Sequence, residues 1–257
     1  MRILAIIAKL SFAALVVSVL VGLVAALGTR FGIWNYRFGL FTLFPWCLYA
    51  GIVAFALGVV WAVWALIAGD GGAAQFGAIG LVGSILAAGP PIYTYIVGSQ
   101  FPAIHDISTD TEYPPPFVTL KALRAGAENP PDYDGPRPAK DPETGKVEAT
   151  WKLQKKYYGD LRARAELIEP RKFFDRAVKA AYRMGWNVVA VDPRDGRIEA
   201  TDTSFWFGLK DDIVIRVKPA GQGARIDMRS KSRVGDADFG RNAARINAYM
   251  KTLSETF

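Results

Sequence analysis

Cysteine and histidine are almost missing from this chain: its 257 residues include one of each, Cys47 and His105. A single thiol cannot form a disulfide framework, and cysteine usage leaves the redox compartment open. It also excludes zinc held by several thiolates, and one imidazole excludes a histidine-rich metal site. No phosphate-binding loop, dinucleotide fingerprint or zinc-ligand spacing occurs, so no cofactor and no metal is expected. Charge is scarce in the first part. Up to Val97 there are four basic residues (Arg2, Lys9, Arg30, Arg37) and one acidic residue, Asp70. The rest carries 27 basic and 23 acidic residues, the stated totals of 31 and 24 less those already counted. A basic excess this mild and scattered is not a nucleic-acid footprint, and no nucleic-acid partner is expected.

What fills the first part is apolar sequence. Crossing the hydrocarbon layer takes roughly 20 apolar residues in a helix, because that layer is about 30 Å thick. Leu10 to Leu27, Leu40 to Ala68 and Ala73 to Val97 approach or exceed that length, which predicts three spans within a transmembrane region 1–99. Trp34, Tyr36, Trp46, Trp61, Trp64, Tyr93 and Tyr95 lie near the expected ends, as interfacial aromatics should. The first run has two readings. Arg2, Lys9 and a small-x-small site at Ala26-Leu27-Gly28 resemble a cleaved signal, whereas the length of the run favours a retained helix. Small residues recur every fourth position: Ala14, Ser18, Gly22, Ala26; Ala50, Ala54, Gly58, Ala62; Gly80, Ser84, Ala88. Aligned small residues let helix backbones approach, which predicts a compact bundle, with homo-oligomer contacts as the competing use. No charged residue sits in the middle of the spans, and this argues against a channel or transporter. Arg2 and Lys9 favour an inside N-terminus, while Arg30 and Arg37 in the first loop pull the other way. The expectation is a multi-pass protein of the inner membrane with its soluble part on the outer, periplasmic side.

After the spans the fold class is α+β. Tyr113-Pro114-Pro115-Pro116, and Asn129 to Pro142 with five prolines, predict an extended arm over 100–150 that leads into the domain. Over 151–257 periodicity takes over. Arg162 to Ile168 alternates as a strand, and Pro170 opens a helix that ends before Gly185. Trp186 to Val191, Arg197 to Ser204, Asp211 to Lys218 and Ala224 to Arg229 alternate at period two with short turns between them, which predicts an antiparallel meander. A last helix from about Arg241 to Thr256 buries Ala243, Ile246, Met250 and Leu253. An antiparallel sheet covered by helices follows.

The tail carries a recognisable pattern: Arg197-Ile198-Glu199-Ala200-Thr201, Asp211-Asp212, Ile226-Asp227-Met228-Arg229-Ser230, Ser232-Arg233-Val234-Gly235, then Asp238, Gly240, Asn242, Arg245 and Ile246. It resembles a family of uncharacterised bacterial and plastid proteins, the domain of unknown function numbered 1499. The likeness extends back to His105-Asp106-Ile107-Ser108-Thr109-Asp110 and leaves out the membrane helices. It implies no reaction, and it implies a membrane-bound or exported protein. Many members carry a cysteine near the domain start; His105-Asp106 stand there in this chain, so no thiol role carries over.

The best candidate site is an anion clasp made of Arg229, Ser230, Ser232, Arg233, Asp238 and Asn242. Two arginines and two hydroxyls leaving a strand beside a helix N-terminus suit a carboxylate or phosphate. The structural alternative has Asp238 capping the turn, with Arg229 and Arg233 paired to Asp227 or Asp211. Glu199, Thr201, Arg216 and Asp227 should share the sheet face opposite the apolar one, as a solvated face with cross-strand pairs. His105 reads as a loop hydrogen-bonder or, beside Asp106, as a general base. Lys172, Arg176, Lys179 and Arg183 form a basic stripe that is either ordinary solvated charge or a lipid-headgroup contact. The functional expectation is a membrane-anchored, non-catalytic envelope module that meets the bilayer and an unidentified protein or anionic ligand. The alternative is a membrane-surface hydrolase or transferase with Asp211, Ser230, Ser232 and Asp238 converging on one pocket.

Overall fold

A computed structural model describes residues 2–69 and 71–256. Asp70, the second loop's one charge, lies outside them. Two compact units emerge. One runs through Ile96 and includes Phe205–Gly208; the other holds Val97–Ser204 and Leu209 onward.

The first unit contains α1 (Arg2–Arg30), α2 (Phe44–Ala68), entered through a π-helical turn at Phe38–Leu43, and α3 (Ala74–Gly98). Arg2 and Lys9 fall inside α1, so the first helix starts well before the apolar run does. Its packing is inverted relative to a water-soluble bundle. Ser11 and Ser18 are 0% exposed, while Leu66 is 84% and Leu86 71% exposed. The repeating small residues turn inward, among them Ala26, Ala54, Gly58, Gly80, Ser84 and Ala88. At Gly58 a Cβ would lie 2.9 Å from the Leu81 Cα, so this contact tolerates no side chain. Hydroxyls link the helices: Ser11 Oγ donates to the Ala54 carbonyl at 2.7 Å, and Ser18 Oγ to the Cys47 carbonyl at 2.8 Å. Close backbones and interhelical hydrogen bonds are how helices associate where burial of apolar surface gives no drive.

The second unit is built on a six-stranded antiparallel sheet ordered β1-β8-β7-β6-β5, with β4 also paired to β8. These strands are β1 (Asp106–Ser108), β4 (Arg164–Glu166), β5 (Asn187–Asp192), β6 (Arg197–Thr203), β7 (Lys210–Ala220) and β8 (Gly223–Ser232). The meander β5 to β8 appears as its alternation requires. On one face Ile213, Ile215, Val217, Ile226 and Met228 pack against α6 (Pro170–Arg183) and α7 (Arg241–Ser254). Pro170 takes the first helical position of α6, and Glu169 caps it by accepting from the Arg171 and Lys172 amides. Tyr249 of α7 stacks on Trp186 and donates to the Ala177 carbonyl at 3.0 Å, tying the two helices together.

The segment 100–150 is more than a connection. It supplies β1, the short helix α4 (Thr119–Leu123) and a small hairpin of β2 (Pro138–Lys140) and β3 (Val147–Ala149), and α5 (Thr150–Tyr157) follows it. The proline-rich stretches stay out of the main sheet, whereas Asp106–Ser108 pair with Arg229–Lys231. The Gln154 side chain of α5 closes the outer edge of β1: it accepts from the Ser108 amide and donates to the Ser108 carbonyl, as a neighbouring strand would.

Candidate functional site

Alternation along β8 decides where the candidate residues go. Successive side chains of a strand point to opposite faces, so Arg229, Lys231 and Arg233 leave one face and Ser230 and Ser232 the other. The six residues of the expected anion clasp therefore do not meet. Under α7, Ser230 Oγ donates to Asn242 Oδ1 at 2.6 Å, and Asn242 Nδ2 donates to Ser232 Oγ and to the His105 carbonyl, each at 3.0 Å. Arg245 donates to Ser230 and Asn242 and pairs with Asp202 and Asp211. Asp238 accepts from the Gly240 and Asn242 amides at 2.8 and 2.9 Å, the cap expected on structural grounds. Burial raises its carboxyl above the usual range. Asp211 turns to Arg245, Asp238 to backbone amides, and the serines to Asn242. These are the fixings of a helix N-terminus.

On the opposite face Glu199, Thr201, Arg216 and Asp227 lie together as alternation predicts, but the face is not solvated. Glu199, Asp212, Asp227, Arg229 and Lys231 are all buried, because residues 110–134 lie over them. The Glu199 carboxylate accepts from the Val118, Thr119 and Leu120 amides at 3.0, 3.0 and 2.7 Å, holding the first turn of α4, and it also pairs with Arg197. Arg124 reaches back from the end of α4 to Asp212 at 2.8 Å. Arg233 forks onto the same carboxylate, with both contacts at 2.8 Å. Burial, only partly offset by Asp212, lowers the Arg124 pKa. Arg229 clasps Asp106 through bonds of 2.7 and 2.8 Å, between the rings of Phe117 and Tyr133. The arginines thus pair with Asp106 and Asp212. They do not take Asp227 or Asp211, the partners expected from sequence, because the arm that covers this face brings Asp106 and Arg124 to it. Asp227 holds Arg216 and Arg225 instead.

This ionic layer borders a surface cleft beside Asp106. A cavity of about 260 Å³ is lined by Ile104, His105, Asp106, Asp134, Arg137 and Asp236, with Pro138 and Thr150 among its walls. His105 sits at its back. Nε2 lies 2.8 Å from Asp134 Oδ2, and Nδ1 lies 3.1 Å from the Asp236 carbonyl. Both ring nitrogens therefore face acceptors within the protein, and a general base would need one open toward the cleft. The loop-residue reading of His105 is the one its geometry fits. Lys231, buried behind it, contacts Asp134 at 2.8 Å and donates to the Asp132 carbonyl at 2.6 Å. Burial is the main influence on the Lys231 ammonium and lowers its pKa. Arg137 and Asp236 form an exposed pair at the rim, 2.9 Å apart. Nothing in the local sequence pointed to Asp134 or Lys231, because the contacts that place them join segments about a hundred residues apart.

Asp134 gives the cluster a pH signature. Burial pushes its carboxyl up, yet hydrogen bonds from His105 and Lys231 outweigh this and hold it at about 2. A depressed carboxylate stabilises the fold above its unfolded pKa of about 3.9, and that contribution is lost as pH falls through the folded value. Thermal stability should therefore drop between about pH 4 and pH 2. Asp134→Asn should flatten that part of a Tm-against-pH curve; an unchanged slope would show that the carboxylate is not held by this pair.

On the basic stripe of α6, Arg176 pairs with Glu166 at 3.0 Å and Arg183 bonds Thr256 at 3.1 Å, while Lys172 and Lys179 are exposed. Among the described residues no group of three or more histidine, cysteine, aspartate or glutamate side chains is arranged to hold a metal ion. No curated protein matches the chain in sequence. A family model does match, over residues 106–253, from the first strand of the sheet into the last turn of α7. That stretch covers more than half of the chain, including the ionic layer and the capped helix alike, and the chain belongs to the family described as protein of unknown function (DUF1499).

Proposed function

We propose that this chain is an integral membrane protein whose three helices hold a non-catalytic binding domain at the membrane surface. The observation that carries the reading is the inverted bundle. Helices of 29, 31 and 25 residues expose their large apolar side chains and bury serine, alanine and glycine. In water that arrangement would expose far more apolar surface than a soluble protein shows; in a bilayer the lipid chains cover it. A helix of 25 residues is about 38 Å long, enough for the hydrocarbon layer with some tilt. Alkaline carbonate extraction of membranes that contain the full chain tests this. It should stay in the pellet and leave only with detergent; release into the carbonate supernatant would overturn the reading.

Three crossings put everything after Gly98 on the side opposite the N-terminus. Arg2 and Lys9 support an inside N-terminus and hence a periplasmic domain in the cell envelope, against the weight of Arg30 and Arg37. Protease added to inverted inner-membrane vesicles should leave the domain intact, and digestion there would place it in the cytoplasm. Binding is favoured over hydrolysis or group transfer because Ser230, Ser232, Asp211 and Asp238 serve α7 and do not line the cleft. The clasp's arginines are likewise engaged internally. The ligand-facing position is therefore the cleft in front of His105, where Arg137 and Asp236 offer one charge of each sign to a small polar ligand or a partner's side chain.

A further inference from the structure

The turn between β6 and β7 carries Phe205-Trp206-Phe207-Gly208 at its tip. Its base is closed within the domain, where the Ser204 amide donates to the Leu209 carbonyl at 2.8 Å and the Leu209 amide to Ser204 Oγ at 2.9 Å. The tip itself belongs to the helical unit. Arg30, at the end of α1, donates to the Phe205 carbonyl at 2.5 Å and places its guanidinium 5.8 Å from that ring's centre. Phe207 meets Phe44, at the start of α2, edge to face at 5.7 Å. Gly208 has a positive φ of 65°, and a Cβ there would lie 3.1 Å from the Arg30 Cα, so the tip approaches α1 as only glycine can. These contacts leave Phe205 74% and Trp206 54% exposed.

Two large aromatic side chains held out beside an arginine at a helix end are costly in water. At the boundary of a bilayer they are well placed, since an aromatic ring suits the headgroup level and arginine suits the phosphates. The same end of the bundle exposes Phe31 and Ile33 in the α1–α2 turn, with Trp34, Tyr36 and Arg37 following. The aromatic tip continues that set. We infer that Phe205 and Trp206 are inserted in the headgroup layer of the same bilayer that α1 to α3 cross, so that the tip of the β6–β7 turn is itself a membrane contact. The partner is a lipid surface. The inference rests on the membrane reading above.

The test uses the full chain with Cys47→Ser, reconstituted in vesicles of phosphatidylcholine and phosphatidylglycerol. A polarity-sensitive fluorophore is attached to one introduced cysteine at a time. The positions are Trp206→Cys, Phe205→Cys as a second sample of the tip, Arg194→Cys in the exposed β5–β6 turn, and Ile52→Cys on the outer face of α2. Probes at 205 and 206 should be quenched severalfold more by headgroup-labelled than by deep-labelled spin lipids, and shielded from aqueous iodide relative to 194. Iodide quenching at both tip positions equal to that at 194, with 52 still quenched by the deep label, overturns the inference and leaves the anchored bundle standing. Loss of deep quenching at 52 overturns the membrane reading, and this inference with it.

Discussion

Asp106→Ala is expected to destabilise the soluble domain by about 3–5 kcal/mol, the usual cost of removing one partner from a buried ion pair. The carboxylate takes both arms of Arg229 and the Asp134 amide, and it lies 3.5 Å from the Lys231 ammonium. Its loss strands one guanidinium and weakens the support of another cation, both without access to water. The measurement is chemical or thermal unfolding of the detergent-solubilised protein. The sharper form is a paired replacement. Changing Asp106 and Arg229 together to apolar residues of similar volume should recover most of the loss, because it removes the desolvation of both charges at once. If Asp106→Ala alone proved neutral, the pair would not be buried as described.

Glu199→Ala should act on the arm more than on the sheet. Its carboxylate is the shared acceptor for three amides at the start of α4, and hydrogen bonds to a charged group contribute about 1.5–3 kcal/mol each before coupling. Without it those three amides lose their acceptor under a covered face, while Arg197 keeps Asp195 and Asp192. We expect a loss of about 3 kcal/mol or more, with residues 113–124 released first. Limited proteolysis reads this directly: new cleavage should appear in that stretch while the meander stays resistant. Glu199→Gln, which keeps one acceptor oxygen, should fall between the two. Simultaneous loss of protection across the whole domain would show that the arm and the sheet unfold as one.

How far the residues alone disclosed this molecule depended on the range of the contacts. The three long apolar helices, α6, α7 and the four meander strands are written in local periodicity, and apart from the early start of α1 each lies within a few residues of its expected ends. Where the expectation failed, distant partners decided. Glu199 and Asp227 alternate as expected but lie under cover and not on a solvated face, because nothing near them in the chain signals that residues 110–134 will cover them. The clasp residues part on a local rule: Arg229 and Ser230 are adjacent in a strand and point to opposite faces. β1, at three residues, and α4, at five, are too short to show a period, and they form because β8 and Glu199 supply their hydrogen-bond partners. The cleft was illegible for the same reason, as its lining comes from both ends of the domain.

The pairing of β1 with β8 also sets a timetable. Asp106 and Arg229 are separated by 123 positions, and at roughly 5–20 residues per second the ribosome takes on the order of ten seconds between them. Throughout that interval the arm has its charges and amides but not the strand that receives them. The domain therefore cannot close as it emerges after the third helix; it must wait until β8 has been made.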